Sequence, residues 1–537
     1  MSAQIKKKIL IVGGGSAGWM TAALMAKTLG DRFAIELVES SAIGTIGVGE
    51  GSTPKIAALF AALGVDEAEW MPACNATYKN GIRFKGWSSR EGFESFFHGF
   101  YSHFDRDHMK ALRFNSVLRR ARIDVHAHPD LFLYNSYLAD RHLAPTTPET
   151  FPFDVQYAFH FDAGLLGDFL KTWSMARGVT WRDCRIAGCE MDEAGEIAAL
   201  LSDQGERLES DLFIDCSGFS ALLIEKEMGA QHLSASEILF NDAAVAIRSP
   251  ALENPPPMTT ATTMPSGWAW HIPLQSRTGN GYVYSSRYGD SESAESELRA
   301  AMGDAWQEGD ALHLKMRLGR VDRAWIGNCV AIGLSQGFLE PLEATGLALT
   351  QYNITRLMYY LTEHGSSQEA RDGFNREVGD AFDGTRDFIA MHYLTATRND
   401  TPYWRDVRAN QAAISGDLAA VFKAWRTGGD FDTILRERRM TDYFSLHSWY
   451  YVMCGKGMYP DGPTKPPTPD MLRKVPTDTI ADFLQRCALN HHSHAEQLAQ
   501  LARGSSSPKS ELDGAAALAI LKAAVPSRDH THHGVDF

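Results

Sequence analysis

Gly13, Gly15 and Gly18 stand in a G-x-G-x-x-G spacing inside the run Gly13-Gly14-Gly15-Ser16-Ala17-Gly18, and Glu39 follows 21 positions after the last of them. That spacing suits a pyrophosphate. A glycine at 13 allows a tight turn, and one at 15 lets the backbone approach phosphate oxygens. One at 18 lets a helix pack closely on a strand, with Ser16 and Ala17 at the helix end that faces the anion. Glu39 can accept from a ribose hydroxyl. A merely structural glycine turn is the plain alternative, but it needs no acid in register. Two further residues could do chemistry. Lys79 lies in Ala76-Thr77-Tyr78-Lys79-Asn80-Gly81-Ile82, and Glu343 in Glu340-Pro341-Leu342-Glu343-Ala344-Thr345-Gly346. Desolvation lowers a lysine's pKa, turning it into a proton donor or a nucleophilic amine. A buried carboxylate can remove a proton or stabilise a cation. Their bland readings are plain too. Lys79, Arg83 and Lys85 would alternate onto one solvated strand face, although Asn80-Gly81 is a turn signal that interrupts the count. Glu343 could simply complement a helix dipole.

These residues need elements to hold them. Residues 9–12 read as a buried strand, 17–29 as a helix and 34–39 as a second strand ending on Glu39, together a βαβ unit. Four glycines within residues 44–51 exclude a regular element there. A helix start follows, with Ser52 or Thr53 as N-cap, Pro54 in the first turn and Gly64 as the stop. Strand-like runs at 211–218, carrying Asp215, and at 325–333, closing on Gly333, lie far from the glycine turn. A simple dehydrogenase, with its site in one contiguous unit, has no use for such distant glycine-closed strands, so FAD is preferred to NAD. A long helix is expected at 345–363, then helices at 380–394, 409–424 and 477–499. The fold class is α/β with α+β character. It combines a Rossmann-like FAD-binding domain of the flavin monooxygenase type, a substrate-binding sheet and a mostly helical C-terminal part. The expected division is 1–375 for the FAD-binding module, 376–505 for a helical cap and 506–537 for a loose tail.

Three features together resemble the flavin-dependent tryptophan halogenase family over most of the chain. They are Gly47-Val48-Gly49-Glu50-Gly51-Ser52-Thr53-Pro54, like that family's flavin strap; Trp268-x-Trp270-x-Ile272-Pro273, like its W-x-W-x-I-P signature; and Lys79 paired with Glu343. The resemblance implies that reduced FAD, supplied by a separate NAD(P)H-dependent flavin reductase, and oxygen convert chloride or bromide to hypohalous acid. This oxidant crosses a passage to a second chamber. There Lys79 holds it by hydrogen bond or as a haloamine, an electron-rich aromatic attacks the halogen, and Glu343 stabilises the cation and takes its proton. Gly49 and Glu50 would touch the flavin, and Thr345 and Gly346 would bind halide. Trp268, Trp270, Ile272 and Pro273 would line the passage and keep bulky substrates from the flavin. His98 and Phe100, in Phe96-Phe97-His98-Gly99-Phe100, resemble the pair that sandwiches an indole. Ala344 stands where the family usually has serine, so a supporting hydroxyl is missing. The segment 448–455 offers no acid in register to hold a substrate ammonium, which leaves free tryptophan, indole and peptide- or carrier-bound aromatics all open.

Composition bounds the rest. The chain has 537 residues, 44% of them apolar and 22% charged, as a globular protein would. A net charge of −14 argues against nucleic acid as a partner. No run approaches the roughly 18 apolar residues of a membrane span, and Lys6-Lys7-Lys8 leads straight into a buried strand without a cleavage site. A cytoplasmic protein is expected, acting on a small aromatic substrate, with room left for a homodimer. Seven scattered cysteines read as reduced, mostly buried thiols. No metal is expected: His491, His492 and His494, and His530, His532 and His533, lack partners at ligand spacing and read as solvent-exposed. The rival readings are a flavin-dependent aromatic hydroxylase, which would need its own NAD(P)H access, and a non-catalytic flavoprotein.

Overall fold

The computed structural model describes residues 6–44, 49–148, 150–303, 310–504 and 512–524. The half that carries the glycine turn is built on a six-stranded sheet. The strand order is Trp325–Ile326, Cys329–Ala331, Leu212–Asp215, Lys7–Val12, Phe33–Glu39, Thr180–Asp183. Lys7–Val12 pairs in parallel with strands on both sides, which explains why Ile9, Leu10 and Ile11 are all fully buried and the run is apolar without alternation. The helix Ser16–Leu29 follows it directly. The expected βαβ unit is therefore present to within a residue or two.

The glycine turn is tight, as its spacing predicts. Gly13 sits at φ 112°, and a Cβ there would run into the Cys216 carbonyl oxygen; a Cβ on Gly18 would meet the Gly13 carbonyl oxygen. Gly15, by contrast, has an ordinary φ of −70° and nothing within 4 Å of where its Cβ would stand. No side chain caps the helix at Gly15, so its first N–H groups are left open to an anion.

Two more sheets carry the other chemistry. A seven-stranded sheet runs Leu312–Lys315, Ala243–Pro250, Arg277–Tyr284, Gly267–Pro273, Thr259–Met264, Gly81–Lys85, Ser95–Gly99. A small three-stranded sheet sets Ala158–Phe161 between Glu50–Gly51 and Thr77–Lys79. Asn80 and Gly81 do not turn a hairpin: the chain leaves the small sheet at Lys79 and enters the large one at Gly81.

Several expected boundaries shift for local reasons. Ser52 does not cap the helix Lys55–Leu63, whose N-cap is Pro54; its hydroxyl bonds the Phe159 carbonyl instead. The run expected at 409–424 breaks into Pro402–Ala409 and Gly416–Thr427, because Asn410 and Ser415 bond nearby N–H groups and stop one helix and start the next. The run at 477–499 likewise splits into Thr477–Ala488 and His494–Arg503, the second opened by a Ser493–Glu496 capping box. The division expected at 375/376 falls inside the continuous helix Gln368–Leu394, so no linker separates those parts. Within the 506–537 tail, the apolar run at 515–525, which reads as a short helix, corresponds to the helix Gly514–Ala523, packed near the first helix with Ala517, Leu518 and Leu521 buried. Residues Gly47 and Val48, and His530, His532 and His533, lie outside the described residues. Among the described residues no helix is long and apolar enough to cross a membrane. All seven cysteines are unpaired thiols and six are buried.

Gly15→Val should leave the folded protein without cofactor almost unchanged in thermal stability, since the space is open. It should weaken FAD binding by about 100-fold, because the new side chain fills the phosphate cradle. Flavin fluorescence titration beside a melting curve checks both halves; unaltered FAD affinity would rule out this cradle.

Candidate active site

Beside the glycine turn, the side chain of Glu39 is oriented by its neighbours. Its Oε1 accepts from Lys171 Nζ at 2.8 Å and Trp181 Nε1 at 2.9 Å, and its carboxylate fills the space above Gly14. Asp215 is wholly buried, with both oxygens committed within the chain. Ser217 N and Oγ donate to one at 2.9 and 2.6 Å, and Leu223 N and Ile224 N donate to the other at 2.8 and 2.9 Å. Its carboxylate therefore shapes the turn after its strand. Gly333, at φ 76°, presses against Ala17, where a Cβ would overlap. Gly49, at φ 87°, and Glu50 begin the strap; burial and the nearby Asp162 carboxylate push Glu50 up to about 7.

Lys79 is 1% exposed. The small sheet explains how a lysine comes to be inside. Gly51 and Thr77 both face His160 across the central strand, so the strap and the Lys79 strand lie on either side of it. The Lys79 ammonium donates to the Ser52 carbonyl at 2.9 Å and stands 5.9 Å from the centroid of the Phe100 ring. Burial pushes its pKa down to about 8, partly opposed by the charge of Glu343. Among the described residues no carboxylate reaches it at salt-bridge distance.

His160 stays out of the charge balance. Thr77 donates its hydroxyl proton to the Pro273 carbonyl at 2.7 Å. It can then only accept from His160 Nδ1 at 3.2 Å, which places the ring proton on Nδ1 and leaves Nε2 to accept from Thr259 at 2.8 Å. Burial, then the Lys79 charge, hold this imidazole well below its usual range and hence neutral.

Glu343, also buried, has the opposite environment. His98 Nδ1 lies 2.8 Å from its Oε1, and His392 Nε2 lies 2.8 Å from the same oxygen. Burial alone would raise the carboxyl; the two histidines outweigh it and hold Glu343 below the usual carboxylate range. His98 and Phe100, expected as one pair, thus serve two partners: His98 contacts Glu343 and Phe100 contacts Lys79. Ala344 adopts a left-handed conformation at φ 55° as the uncapped N-cap of helix Thr345–Glu363, whose bounds are those expected from sequence. Among the described residues the buried Thr345 hydroxyl has no hydrogen-bond partner, and Gly346 is exposed. Trp268 and Trp270 project from Gly267–Pro273 with ring centroids 6.3 Å apart. Ile272 on the same strand reaches toward Gly49, and the Pro273 carbonyl anchors Thr77.

Sequence reasoning missed four groups. His160 and His392 are single histidines in apolar runs, which read as core. Lys456 follows a glycine at the end of helix Leu446–Gly455 and reads as surface, yet it is fully buried and donates to the His392 carbonyl at 2.5 Å. His494 was expected to be solvent-exposed and is instead 0% exposed. Its Nε2 accepts from the backbone N–H of Tyr78 at 3.1 Å, beside Lys79, and its Nδ1 bonds the Pro255 carbonyl at 2.7 Å. His491 is buried as well, bonded to the Ala144 carbonyl. Backbone pairing of this segment with residues 142–144 (His494 N–H to the His142 carbonyl, Ala144 N–H to the His492 carbonyl) holds it against the core rather than leaving it in solvent.

Residues 8–468 match the tryptophan halogenase family. The tryptophan 6-halogenase SttH of Streptomyces toxytricini is 37% identical over 459 residues, covering 79% of this chain and 85% of that protein. The tryptophan 7-halogenase RebH of Lentzea aerocolonigenes is 34% identical, covering 86% of this chain and 92% of its own. Among solved structures, a flavin-dependent halogenase from Xanthomonas campestris superposes with a TM-score of 0.81 at 32% identity, covering 94% of this chain and all of that one. The glycine cradle, the buried lysine and the carboxylate held by two histidines therefore sit in an enzyme of known kind: the chain belongs to the tryptophan halogenase family of flavin-dependent halogenases.

Proposed function

We propose that Lys79 presents oxidised halogen to an indole-type carbon while Glu343 receives the ring proton. The buried Lys79 ammonium, paired with a backbone carbonyl rather than a carboxylate, carries this reading. Gly13, Gly15, Ser16, Ala17 and Gly18 would hold the FAD pyrophosphate, Glu39 the ribose, and Gly49, Glu50 and Gly333 the neighbourhood of the ring. The shape of Asp215's turn supports them indirectly. Bound in reduced form, FAD supplies with oxygen the two-electron oxidation of chloride or bromide. We place a separate flavin reductase upstream, and the protein in the cytoplasm, where unpaired thiols such as these persist.

The remaining steps belong to this chain's side chains. The orphaned Thr345 hydroxyl and the open N–H groups at Gly346 offer donors for halide. Trp268, Trp270, Ile272 and Pro273 wall the passage. At Lys79 the ammonium donates to the oxygen of hypohalous acid. The aromatic carbon bonds to halogen as the halogen–oxygen bond breaks, and the oxygen leaves as water with the lysine proton. Glu343, ionised through the neutral range, faces the cationic ring and takes its proton. Glu343 then releases its proton to solvent, and solvent returns one to Lys79. The substrate is an electron-rich indole, tryptophan or a tryptophan-like aromatic, in keeping with the relatives' names. Helix Leu446–Gly455 contains no acid to bind a free ammonium, which supports substrates whose amino group is absent or masked.

In an assay with FAD, reductase, oxygen and bromide or chloride, the product should gain about 78 or about 34 mass units, replacing H by Br or Cl. Lys79→Met should abolish this product while FAD binding persists; a hydroxylated product made without halide would overturn the reading. With the ammonium as the working form, the single-turnover rate should be flat at neutral pH and fall as pH rises through about 8. A rate that instead climbs through the same range would assign the work to the neutral amine. Glu343→Gln should cost about 100-fold in turnover, measured at saturating substrate, with oxidation of reduced flavin unaffected.

A further inference from the structure

Three residues before Glu343, the same turn carries a second buried carboxylate. Glu340 is 0% exposed, and a single oxygen, Oε2, gathers three donors: Asn241 Nδ2 at 2.7 Å, Tyr393 Oη at 2.8 Å and Trp268 Nε1 at 3.1 Å. Asn241 also donates to Tyr393 Oη at 2.8 Å and accepts from Tyr403 Oη at 2.9 Å. The knot thus ties the Glu340–Glu343 turn to strand Gly267–Pro273 and to helices Gln368–Leu394 and Pro402–Ala409. Tyr393 directly follows His392, so consecutive residues of one helix hold Glu340 and Glu343.

The two passage tryptophans are fixed by different means. The Trp270 ring lies against Gly281, where a Cβ would overlap it, and its buried Nε1 has no partner among the described residues. Trp268 depends on Glu340. An apolar side chain of similar size would fill the position of Glu340 without desolvating a carboxyl group, whose other oxygen, Oε1, finds no donor among the described residues. Burial also raises the Glu340 carboxyl, against the three donors. What a leucine could not do is draw three donors to one point, which orients the Trp268 ring relative to the turn that carries Glu343.

We propose that Glu340 is a positioning residue that locks the Trp268 wall of the passage to the Glu343 turn, so that oxidised halogen is captured at Lys79 rather than lost to bulk water. The inference rests on the halogenase reading above. It acts through Trp268 and Tyr393; Glu340 itself handles no reacting atom.

The test reads a ratio. With FAD, reductase, bromide and an indole, halogenated indole is measured beside oxidised bromine trapped outside the protein by a soluble 1,3-diketone. Glu340→Leu should move the ratio of product to trapped halogen about 10-fold toward the trap, as misplaced groups at a reacting centre do. Trp268→Phe, which keeps a ring and removes only the N–H, should move it the same way by a smaller factor. Glu340→Gln, whose amide oxygen can replace Oε2, should restore the wild-type ratio to within about 2-fold. A merely structural role would lower product and trapped halogen in proportion, and that outcome overturns the proposal. If Glu340→Leu does not fold, Trp268→Phe decides: a wild-type ratio in its FAD-bound form likewise overturns it. A wild-type enzyme that yields neither product nor trapped halogen would sink the halogenase reading itself, and this inference with it.

Discussion

An amine held out of water without a carboxylate in contact is the constraint around which this molecule is arranged. Burying a lone ammonium costs several kcal/mol even after relaxation, so something must offset it without neutralising it. Here three modest terms act together: the Ser52 carbonyl, the field of Glu343 and the face of the Phe100 ring, while burial and the Lys79 charge itself keep the neighbouring His160 imidazole neutral. Each comes from a different segment, and the small sheet exists in register to bring them together. A direct carboxylate partner would have been cheaper and would have made the lysine a salt bridge.

Glu343 shows the converse. Its carboxylate is as deeply buried, yet two imidazoles converge on one oxygen and keep it ionised. Lys79 and Glu343 feel each other's charge but form no ion pair among the described residues, and each is satisfied by partners of its own. In the proposed reaction that separation is what lets one group donate to the leaving oxygen while the other collects a ring proton. Behind His392, the buried Lys456 donates to its carbonyl, and burial and then this cation depress the imidazole to about 4. Neutral His392 and neutral His160 leave the lysine–glutamate polarity of the chamber undiluted.

The parts legible in the sequence are those whose cause is local. Strand, glycine turn, helix and Glu39 follow one another within 33 residues, from Lys7 to Glu39, and the apolar period and glycine spacing determine them without outside help. Helix Thr345–Glu363 was readable for the same reason. The burial of Lys79 was not. On a single strand, Lys79, Arg83 and Lys85 share a face, but the chain changes sheets between Lys79 and Gly81, and pairing with Ala158–Phe161 and Thr259–Met264 decides which way each side faces. Arg83 is buried too, and only Lys85 is exposed. His392, Lys456 and His494 carry no signal at all in one dimension, since their partners lie tens to hundreds of residues away.

The turn from Glu340 to Gly346 concentrates departures from what stability alone would favour. It holds two buried carboxylates, a non-glycine residue in the left-handed region at Ala344, an uncapped helix start and a buried hydroxyl without a partner. Left-handed geometry at alanine and a missing N-cap each cost about 1 kcal/mol. A serine at 344 would offer a hydroxyl to cap the helix; alanine leaves the first N–H groups open. Open donors beside an orphaned hydroxyl are poor for an empty protein and apt for one that takes up an anion. Local disfavour of this kind persists where the surrounding packing over-determines it, and the Glu340 knot on one side and the His98–His392 clasp on the other supply that packing. The stability lost in the turn is thus held in place by the same contacts that aim its carboxylate.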